Sequence, residues 1–530
     1  MSAAVHLSPG PTKLPPVLRM ALLEWRMRLR RPTTLWLFVG LLLCTFWVIA
    51  DPAHGFAMIH AKGARVLQDS PAQSLGSATM LNLMLMLFGF AVARGRTTHD
   101  LNHHMLALTA SSGVSHGALV AGRWLGAVLH LTTLSSGFFA GAMVQHLLHG
   151  EGPLQPLTYL LSYLWVSGPT VLFVASLAMC LDQVPSLMGK RGEVAYFFFW
   201  VFSLAGVGAN SLEASAWSPL LLLDFFGINT VAMQMSQLMG TSQIMIGLAT
   251  FDPAVTPLRM PDTAWTPIWT LTRMGVVAVS LAVLGLAVAL SRREPLEAMM
   301  RRQVHARRPA LAWLQDRARL LTLVLLPGWT TLMRWPAALA WPLAELRLQW
   351  LQSPAGTLAL LGLAAASAVT PELKAATAMT GAGLALWGVL LAGWPVMHRG
   401  QPWEGLRDVS GPGRLARLGS GLIAALLPAL LLAAPLTAHW LACGQLLRAG
   451  ALLASVLAIL GTAWMMGLAT RGPRSFLSLW LLLVYLVANG TGVAWLDLGA
   501  LSGAAGATQA TAWAAWAAAT GLACWCWTRR

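Results

Sequence analysis

The sequence predicts an all-α polytopic membrane protein of twelve transmembrane helices, arranged as two six-helix halves with both termini in the cytoplasm. Of its 530 residues, 57% are apolar and only 10% are charged, and the mean hydropathy is +0.64. A soluble domain has about a quarter of its residues charged. A chain of this composition cannot keep its surface in water, so a bilayer is its predicted environment.

Twelve apolar windows support the count of spans. The hydrocarbon core is about 30 Å thick, so a spanning helix needs about 20 mostly apolar residues. The windows lie near residues 33–50, 77–93, 118–146, 157–181, 195–209, 267–291, 355–370, 376–397, 420–436, 449–469, 476–489 and 508–527.

The orientation follows from the basic residues, which accumulate in cytoplasmic loops. With twelve spans, 29 of the 35 Lys and Arg residues fall on one side, at the termini and in alternate loops. That side is predicted to be cytoplasmic. The apolar stretch Leu320–Leu326 is followed by Pro327 and is predicted to lie on the membrane, because another span would turn later basic loops outward.

A weak internal repeat defines the domains. Glu24, Arg26 and Pro32 precede the first span as Glu345, Arg347 and Pro354 precede the seventh, with a slip of one residue at the proline. The predicted domains are a cytoplasmic interfacial amphipathic helix (1–32), a first six-helix half (33–291) with an outer loop (210–266), a cytoplasmic or interfacial linker (292–341) and a second six-helix half (342–530).

The segment before the first span has one apolar stripe at helical spacing, formed by Leu14, Val17, Leu18, Ala21, Leu22, Trp25 and Leu29. Such a helix can lie at the membrane surface with its arginines against lipid headgroups. A cytoplasmic helix that packs on protein is the alternative. The corner Arg30-Arg31-Pro32 predicts a break before the span, because proline disfavours helical conformation in the preceding residue.

The stretch Asp100–Gly126 continues this pattern. It begins at Asp100 and contains a Leu-bearing segment with Leu101, Leu106 and Leu108, a small-residue turn, and then Gly122-Arg123 at the start of the third span. Together with the Glu-x-Arg helix and the Arg-Arg-Pro corner, it resembles the permeases of ABC-2-type exporters. In that family this loop forms a short coupling helix, and Gly-Lys opens the third helix; here Arg replaces Lys and the expected proline is absent.

The resemblance also covers the outer loop, where such permeases carry short helices at the outer leaflet. Val231–Leu248 is apolar but contains Gly240 and several glutamines, which favours a re-entrant or surface helix over a span. In the second half, residues 403–419 take the place of the coupling segment, and the outer loop at 489–509 is much shorter.

The resemblance implies the membrane-spanning permease subunit of an ABC exporter in a bacterial inner membrane, with a lipophilic or amphipathic substrate. The chain has no Gly-x4-Gly-Lys-Ser/Thr loop to bind nucleotide phosphates. ATP and Mg are therefore expected in a separate cytoplasmic ATPase, present in two copies, and this chain is expected to need no cofactor and to perform no catalysis. Membrane lipids are the other expected partner.

Two other classes stay open: a secondary transporter of six-plus-six architecture, and a polytopic membrane enzyme or assembly factor. Acidic residues are scarce in the windows, which disfavours an ion relay, and Arg273 is read as an anchor near the outer surface. The histidines at 99, 103, 104, 146 and 149 have metal-like spacing without a completing carboxylate or cysteine. Basic residues spread over many loops disfavour nucleic acid as a partner.

Overall fold

The computed structural model describes residues 14–49, 52, 55–61, 63–95, 97, 100, 114–184, 187–188, 190–210, 217–241, 244–252, 254–261, 266–293, 331, 336–398, 413–470, 472–489, 497, 499–501, 503 and 505–529. Two compact units divide the chain, Met1–Ala306 and Arg307–Arg530. The boundary falls within the predicted linker 292–341, most of which, with Leu320–Leu326, lies outside the described residues.

The first unit is mostly helical. Its helices are α1 (Pro16–Leu29), α2 (Pro32–Val48), α3 (Ser70–Ala93), α4 (His116–His149), α5 (Pro156–Leu181), α6 (Lys190–Asn210), α7 (Ile228–Met239) and α8 (Pro267–Arg293). Proline opens several of these helices, at the first position, where its missing N–H has no helical partner to lose.

The second unit contains seven helices within the described residues. They are α9 (Ala337–Gln352), α10 (Pro354–Val369), α11 (Leu373–Leu391), α12 (Arg414–Ala442), α13 (Leu446–Thr470), α14 (Arg474–Asn489) and α15 (Ala507–Arg529). Leucine and alanine form most of its core, which also contains buried tryptophans: Trp387 Nε1 donates to the carbonyl of Ala425 at 3.0 Å, and Trp480 Nε1 donates to the carbonyl of Ala385 at 2.9 Å. These bonds satisfy indole donors that apolar packing alone would leave unmade.

Helices occupy all twelve predicted windows, which confirms a helical membrane protein. By length and composition, seven helices in the described part of the chain could cross a bilayer, or eight if α9 and α10 form one span bent by 107°. Shorter apolar helices occur at Thr33–Phe46 and Ala195–Leu204. The structure thus supports seven or eight candidate spans, and the full count of twelve stays a prediction.

The longest helix that the structure describes, α4, is the packing centre of the first unit. It carries two Gly-x3-Gly motifs, Gly122/Gly126 and Gly137/Gly141, which let neighbouring backbones approach closely. Helix α1 packs closely on the first motif, because a Cβ at position 126 would lie 2.7 Å from the Cβ of Glu24. Helix α2 packs closely on the second motif, because a Cβ at position 137 would lie 2.8 Å from the carbonyl oxygen of Phe38.

A small antiparallel sheet, which the sequence did not predict, joins two distant segments of the first unit. Its strands are β1 (Phe56–Ala61), β2 (Ala64–Arg65) and β3 (Ile244–Thr250), in the order β2-β1-β3. Strand β1 packs on α3 at Gly76, where an added Cβ would lie 3.0 Å from Ile59 Cδ1. The predicted outer loop is thereby fastened to α3, a candidate spanning helix.

The prediction of one re-entrant or surface helix over Val231–Leu248 is wrong in its second part. Helix α7 ends at Met239, because Gly240 adopts a left-handed conformation (φ 62°), and residues from Ile244 onward pair with β1 as a strand. Gly227, also left-handed (φ 77°), precedes the helix. Glycine adopts such angles at no steric cost, so both ends of α7 are sharp turns.

Candidate functional site

Buried charges at the ends of α3 and α5 form the best-defined polar site of the first unit. Arg94 follows α3, Asp182 follows α5, and both side chains are fully buried with Nε and Oδ1 2.8 Å apart. The same carboxylate accepts a bond from the backbone N–H of Gly95 at 2.8 Å, and Arg94 also donates to the carbonyl of Leu187. Paired in this way, the two charges connect the adjacent ends of two candidate spanning helices.

A second buried ion pair lies at the start of α4. Arg123 donates to the carboxylate of Asp100, and both side chains are about 95% buried. Gly122, beside it, is closely packed against α1, since a Cβ there would lie 2.7 Å from the Cβ of Met20. The structure therefore pairs two residues of the predicted coupling segment, Asp100 and Arg123, and packs a third, Gly122, against α1.

The leucines predicted to form the docking face, Leu101, Leu106 and Leu108, lie outside the described residues. The structure describes the residues on either side of the segment that contains them. This segment begins after the buried pair Arg94–Asp182 and ends before α4, while Asp100 within it is paired to Arg123. We call Arg94, Asp100, Arg123 and Asp182 the basal cluster.

Helix α1 joins the basal cluster through a residue that the sequence reasoning did not single out. Arg28 donates to the carbonyls of Val92 (2.9 Å) and Ala93 (3.2 Å) at the end of α3, and lies 3.9 Å from Glu24, four residues earlier. A cation at a helix C-terminus bonds the last carbonyls and is favoured by the helix dipole. The i, i+4 spacing of Glu24 and Arg28 was the available signal.

The predicted interfacial residues divide between the two sides of α1. Glu24 is buried against α4, whereas Arg26, Arg30 and Arg31 are exposed. Pro32 is the first residue of α2, as the predicted break requires. The buried side packs on protein, which is the alternative considered for this helix; a membrane-surface position for the exposed side stays a prediction.

In the second unit, the predicted counterparts have a similar arrangement. Glu345 is buried in α9, and its Oε2 lies 2.9 Å from Nε2 of His398, which follows α11. Arg347 is half-buried, and Pro354 opens α10 after the bend at Ser353. The two units differ here: Arg28 bonds to the end of α3 in the first unit, whereas in the second unit the acidic Glu345 itself bonds to the residue that follows α11.

A seam of polar side chains joins α3 to α5 along the interior. Ser74 Oγ lies 2.8 Å from Ser162 Oγ, Tyr163 OH donates to Ser77 at 3.1 Å, and Ser167 Oγ donates to the carbonyl of Ala78 at 3.2 Å. Each such bond within a membrane contributes about 0.6 kcal/mol on average. The signal in the sequence was the spacing of Ser70, Ser74 and Ser77 along one side of an apolar helix.

The seam ends at a fully buried cation. Arg273 of α8 donates to the carbonyls of Val166 (2.6 Å), Asp224 (2.8 Å) and Trp165 (3.2 Å). Two of these carbonyls lie in the π-helical turn Tyr163–Ser167, where the regular ladder of helical bonds is interrupted. The reading of Arg273 as an anchor near the outer surface is wrong, because its exposed fraction is 0%.

Asn82 connects the same place to the outer-loop segment. Its Nδ2 donates to the carbonyls of Phe226 (2.6 Å) and Val166 (3.1 Å), while the carboxylate of Asp224 accepts bonds from Gly227 and Thr230 at the start of α7. Helices α3, α5 and α8 therefore hold the N-terminus of α7. These polar side chains bond mainly to backbone groups, so their role is to hold the helices together.

No group of three metal-ligating side chains occurs among the residues that the structure describes. His146 bonds to Gln73 Oε1 at 2.8 Å, and His149 bonds to Gln145 Oε1 at 3.0 Å. These two rings have amide partners in place of a shared metal site. The other histidines with metal-like spacing, 99, 103 and 104, fall outside the described residues.

Comparison with known proteins identifies no relative: no family model matches the chain, no curated protein is similar to it, and no solved structure matches it. Its function therefore has to be inferred from its own residues and their geometry.

Proposed function

We propose that this chain is the membrane-spanning subunit of an ATP-driven exporter of the ABC-2 type, and that a separate cytoplasmic ATPase, in two copies, binds ATP and Mg and drives it. Twelve spans in two six-helix halves, with both termini in the cytoplasm of a bacterial inner membrane, complete the proposal. The observation that carries it is the basal cluster, which ties the segment between α3 and α4 to buried charges on both sides.

The basal cluster suits a segment that has to transmit force. A displacement of residues 101–113 would act on α4 through Asp100 and Arg123, and on α3 and α5 through Arg94 and Asp182. A buried ion pair is costly to separate, because each charge would be left without its partner at low dielectric. The helices would therefore follow the segment instead of detaching from it.

The buried cation favours this proposal over a secondary transporter. Ion-coupled transporters need intramembrane groups that bind and release the coupling ion. Arg273 is held by three backbone carbonyls, and a guanidinium does not release its proton at physiological pH. It is better suited to fastening α7 to the helices around it than to relaying protons.

The proposed topology has a direct test. A reporter that is active only outside the cytoplasm should be silent when fused after Arg308 and active when fused near Asp252. The charge asymmetry of the sequence is the reason. The reverse pattern would exclude the twelve-span arrangement. The substrate is expected to be a lipid, an amphipathic peptide or a hydrophobic antibiotic, by analogy with the class alone.

The partner is tested by the double variant Leu106→Asp/Leu108→Asp, expressed with the ATPase encoded nearest to it. The ATPase should no longer copurify, because an apolar docking face of about 1.5 to 3 kcal/mol per fully buried leucine is removed. Membrane insertion should persist, since neither residue lies in a predicted span. The measurement is the molar ratio of ATPase to this chain after affinity purification.

The matched control is Asn102→Asp, which adds a charge to the same segment without removing an apolar side chain, and it should copurify normally. Unchanged copurification and unchanged ATP-dependent export in the double leucine variant would overturn the proposal. Loss of copurification with correct insertion would support it.

A further inference from the structure

The two units open with corresponding helices that differ in their buried side chains. Glu24 and Arg28 of α1 have the same four-residue spacing as Glu345 and Gln349 of α9. In each unit this helix and the one that follows it both pack on the fourth helix of the half: α1 and α2 on α4, α9 and α10 on α12. The corner between the two helices is therefore comparable in the two units.

In the first unit, side chains lock this corner. Arg28 donates to the carbonyls of Val92 and Ala93, which fastens α1 to the end of α3. Thr34, two residues after Pro32, donates its hydroxyl to the carbonyl of Arg28 at 2.6 Å, which joins α2 back to α1. Three hydrogen bonds thus fix α1 relative to both neighbours.

In the second unit, both locking side chains are replaced. Gln349 is 1% exposed, and neither its Oε1 nor its Nε2 has a hydrogen-bond partner. Gly356 follows Pro354 by two residues, as Thr34 follows Pro32. A glycine has no hydroxyl, so it cannot donate a side-chain hydrogen bond to a carbonyl of α9. The bond between Glu345 and His398 is the remaining polar link to the end of α11 that the described residues show.

We infer that the corner α1–α2 is a fixed strut, whereas the corner α9–α10 is a joint that opens and closes, with Gln349 gaining hydrogen bonds when α9 moves. A buried amide with unmade bonds raises the free energy of the packed arrangement, so leaving that arrangement is easier. Pro342 removes one more backbone bond within α9. The inference does not depend on the proposed function.

Hydrogen exchange of the full-length protein in micelles tests it. Protection factors of amides 344–352 should be at least about tenfold lower than those of amides 21–29, because local opening is set by the bonds that hold each helix. The variant Arg28→Gln should lower protection in α1 toward that of α9. The control Arg26→Gln changes an exposed neighbour and should leave α1 as it is.

The reciprocal variant Gln349→Arg should raise protection in α9 by about tenfold, by supplying the donors that Arg28 supplies in α1. Gln349→Leu, which removes the unmade bonds at similar volume, should also raise it, and it serves if the guanidinium is not accommodated. Equal protection of α1 and α9 in the unmodified protein would overturn the inference, as would an unaltered α1 in Arg28→Gln. Slower exchange in α9 in either Gln349 variant would support it.

Discussion

The basal cluster predicts that Arg94 and Asp182 are energetically coupled. Asp182→Asn keeps the shape of the side chain and one acceptor for the N–H of Gly95, but it removes the carboxylate charge that faces the guanidinium of Arg94. Both side chains are fully buried and 2.8 Å apart. Removing one partner of such a pair costs about 3 to 5 kcal/mol. Arg94→Met should cost a similar amount, because it leaves the carboxylate uncompensated.

The double variant Arg94→Met/Asp182→Asn removes both charges of this pair, so it should be less destabilised than the two single variants summed. The expected coupling energy is about 2 kcal/mol, within the range for residues in one network. Unfolding of the purified protein in micelles, followed by its intrinsic tryptophan fluorescence, measures all three variants. Strictly additive effects would refute the reasoning, since they would mean that the pair contributes no interaction of its own.

Two further predictions concern the helix packing and the sheet. Gly126→Ala should destabilise the protein by about 1 to 3 kcal/mol, because a Cβ at position 126 would lie 2.7 Å from the Cβ of Glu24. The control Gly285→Ala should not destabilise it, because a Cβ there meets open space. Equal melting temperatures of the two variants would contradict this prediction. The pKa of Glu151 is lowered because its carboxylate accepts hydrogen bonds from Arg65 at 2.6 and 2.7 Å. This stabilisation should be complete above pH 4.5, the ordinary pKa of a glutamate, and be lost as the pH falls below it. Hydrogen-exchange protection of the β2 amides should therefore decline in acid. The variant Glu151→Gln should remove that pH dependence.

Helix positions were accessible from the sequence because apolar windows and proline-marked starts are local signals. The break before Pro32 and the helix over 157–181 are examples. The strand at Ile244–Thr250 was not accessible, since its stability depends on pairing with β1, almost two hundred residues earlier. The left-handed conformation of Gly240 ends the helix that precedes this strand.

Part of the candidate site was likewise predictable. Asp100, Gly122 and Arg123 were selected by pattern; the structure pairs Asp100 with Arg123 and packs Gly122 against α1, and their role in coupling stays a prediction. The bonds of Arg28 and Asp182 were not predicted. Both residues bond to the C-terminal end of α3, which only tertiary packing brings close to them. The prediction that Arg273 is a surface anchor was wrong because hydropathy depends only on a helix's own sequence. It cannot show that a π turn on another helix offers carbonyls to the guanidinium.

The contrast between α4 and its neighbours indicates which helix can carry a displacement across the first unit. Helices α3 and α5 each contain a π turn, at Leu85–Gly89 and Tyr163–Ser167, and such turns are places where a helix bends. Helix α4 is continuous over 34 residues, about 51 Å at 1.5 Å per residue. It begins beside the basal cluster and ends just before Glu151, which is bonded to strand β2.

A movement at Arg123 would therefore reach the sheet through one unbroken helix, while α3 and α5 could absorb it at their π turns. Proline would interrupt α4 and separate these two effects. Leu129→Pro should leave the pair Asp100–Arg123 in place, because both residues precede the new break, but it should uncouple the sheet from it. The measurement is hydrogen exchange in β1 after Arg123→Met, with and without Leu129→Pro. If β1 does not respond to Arg123→Met in the continuous helix, α4 does not transmit the change.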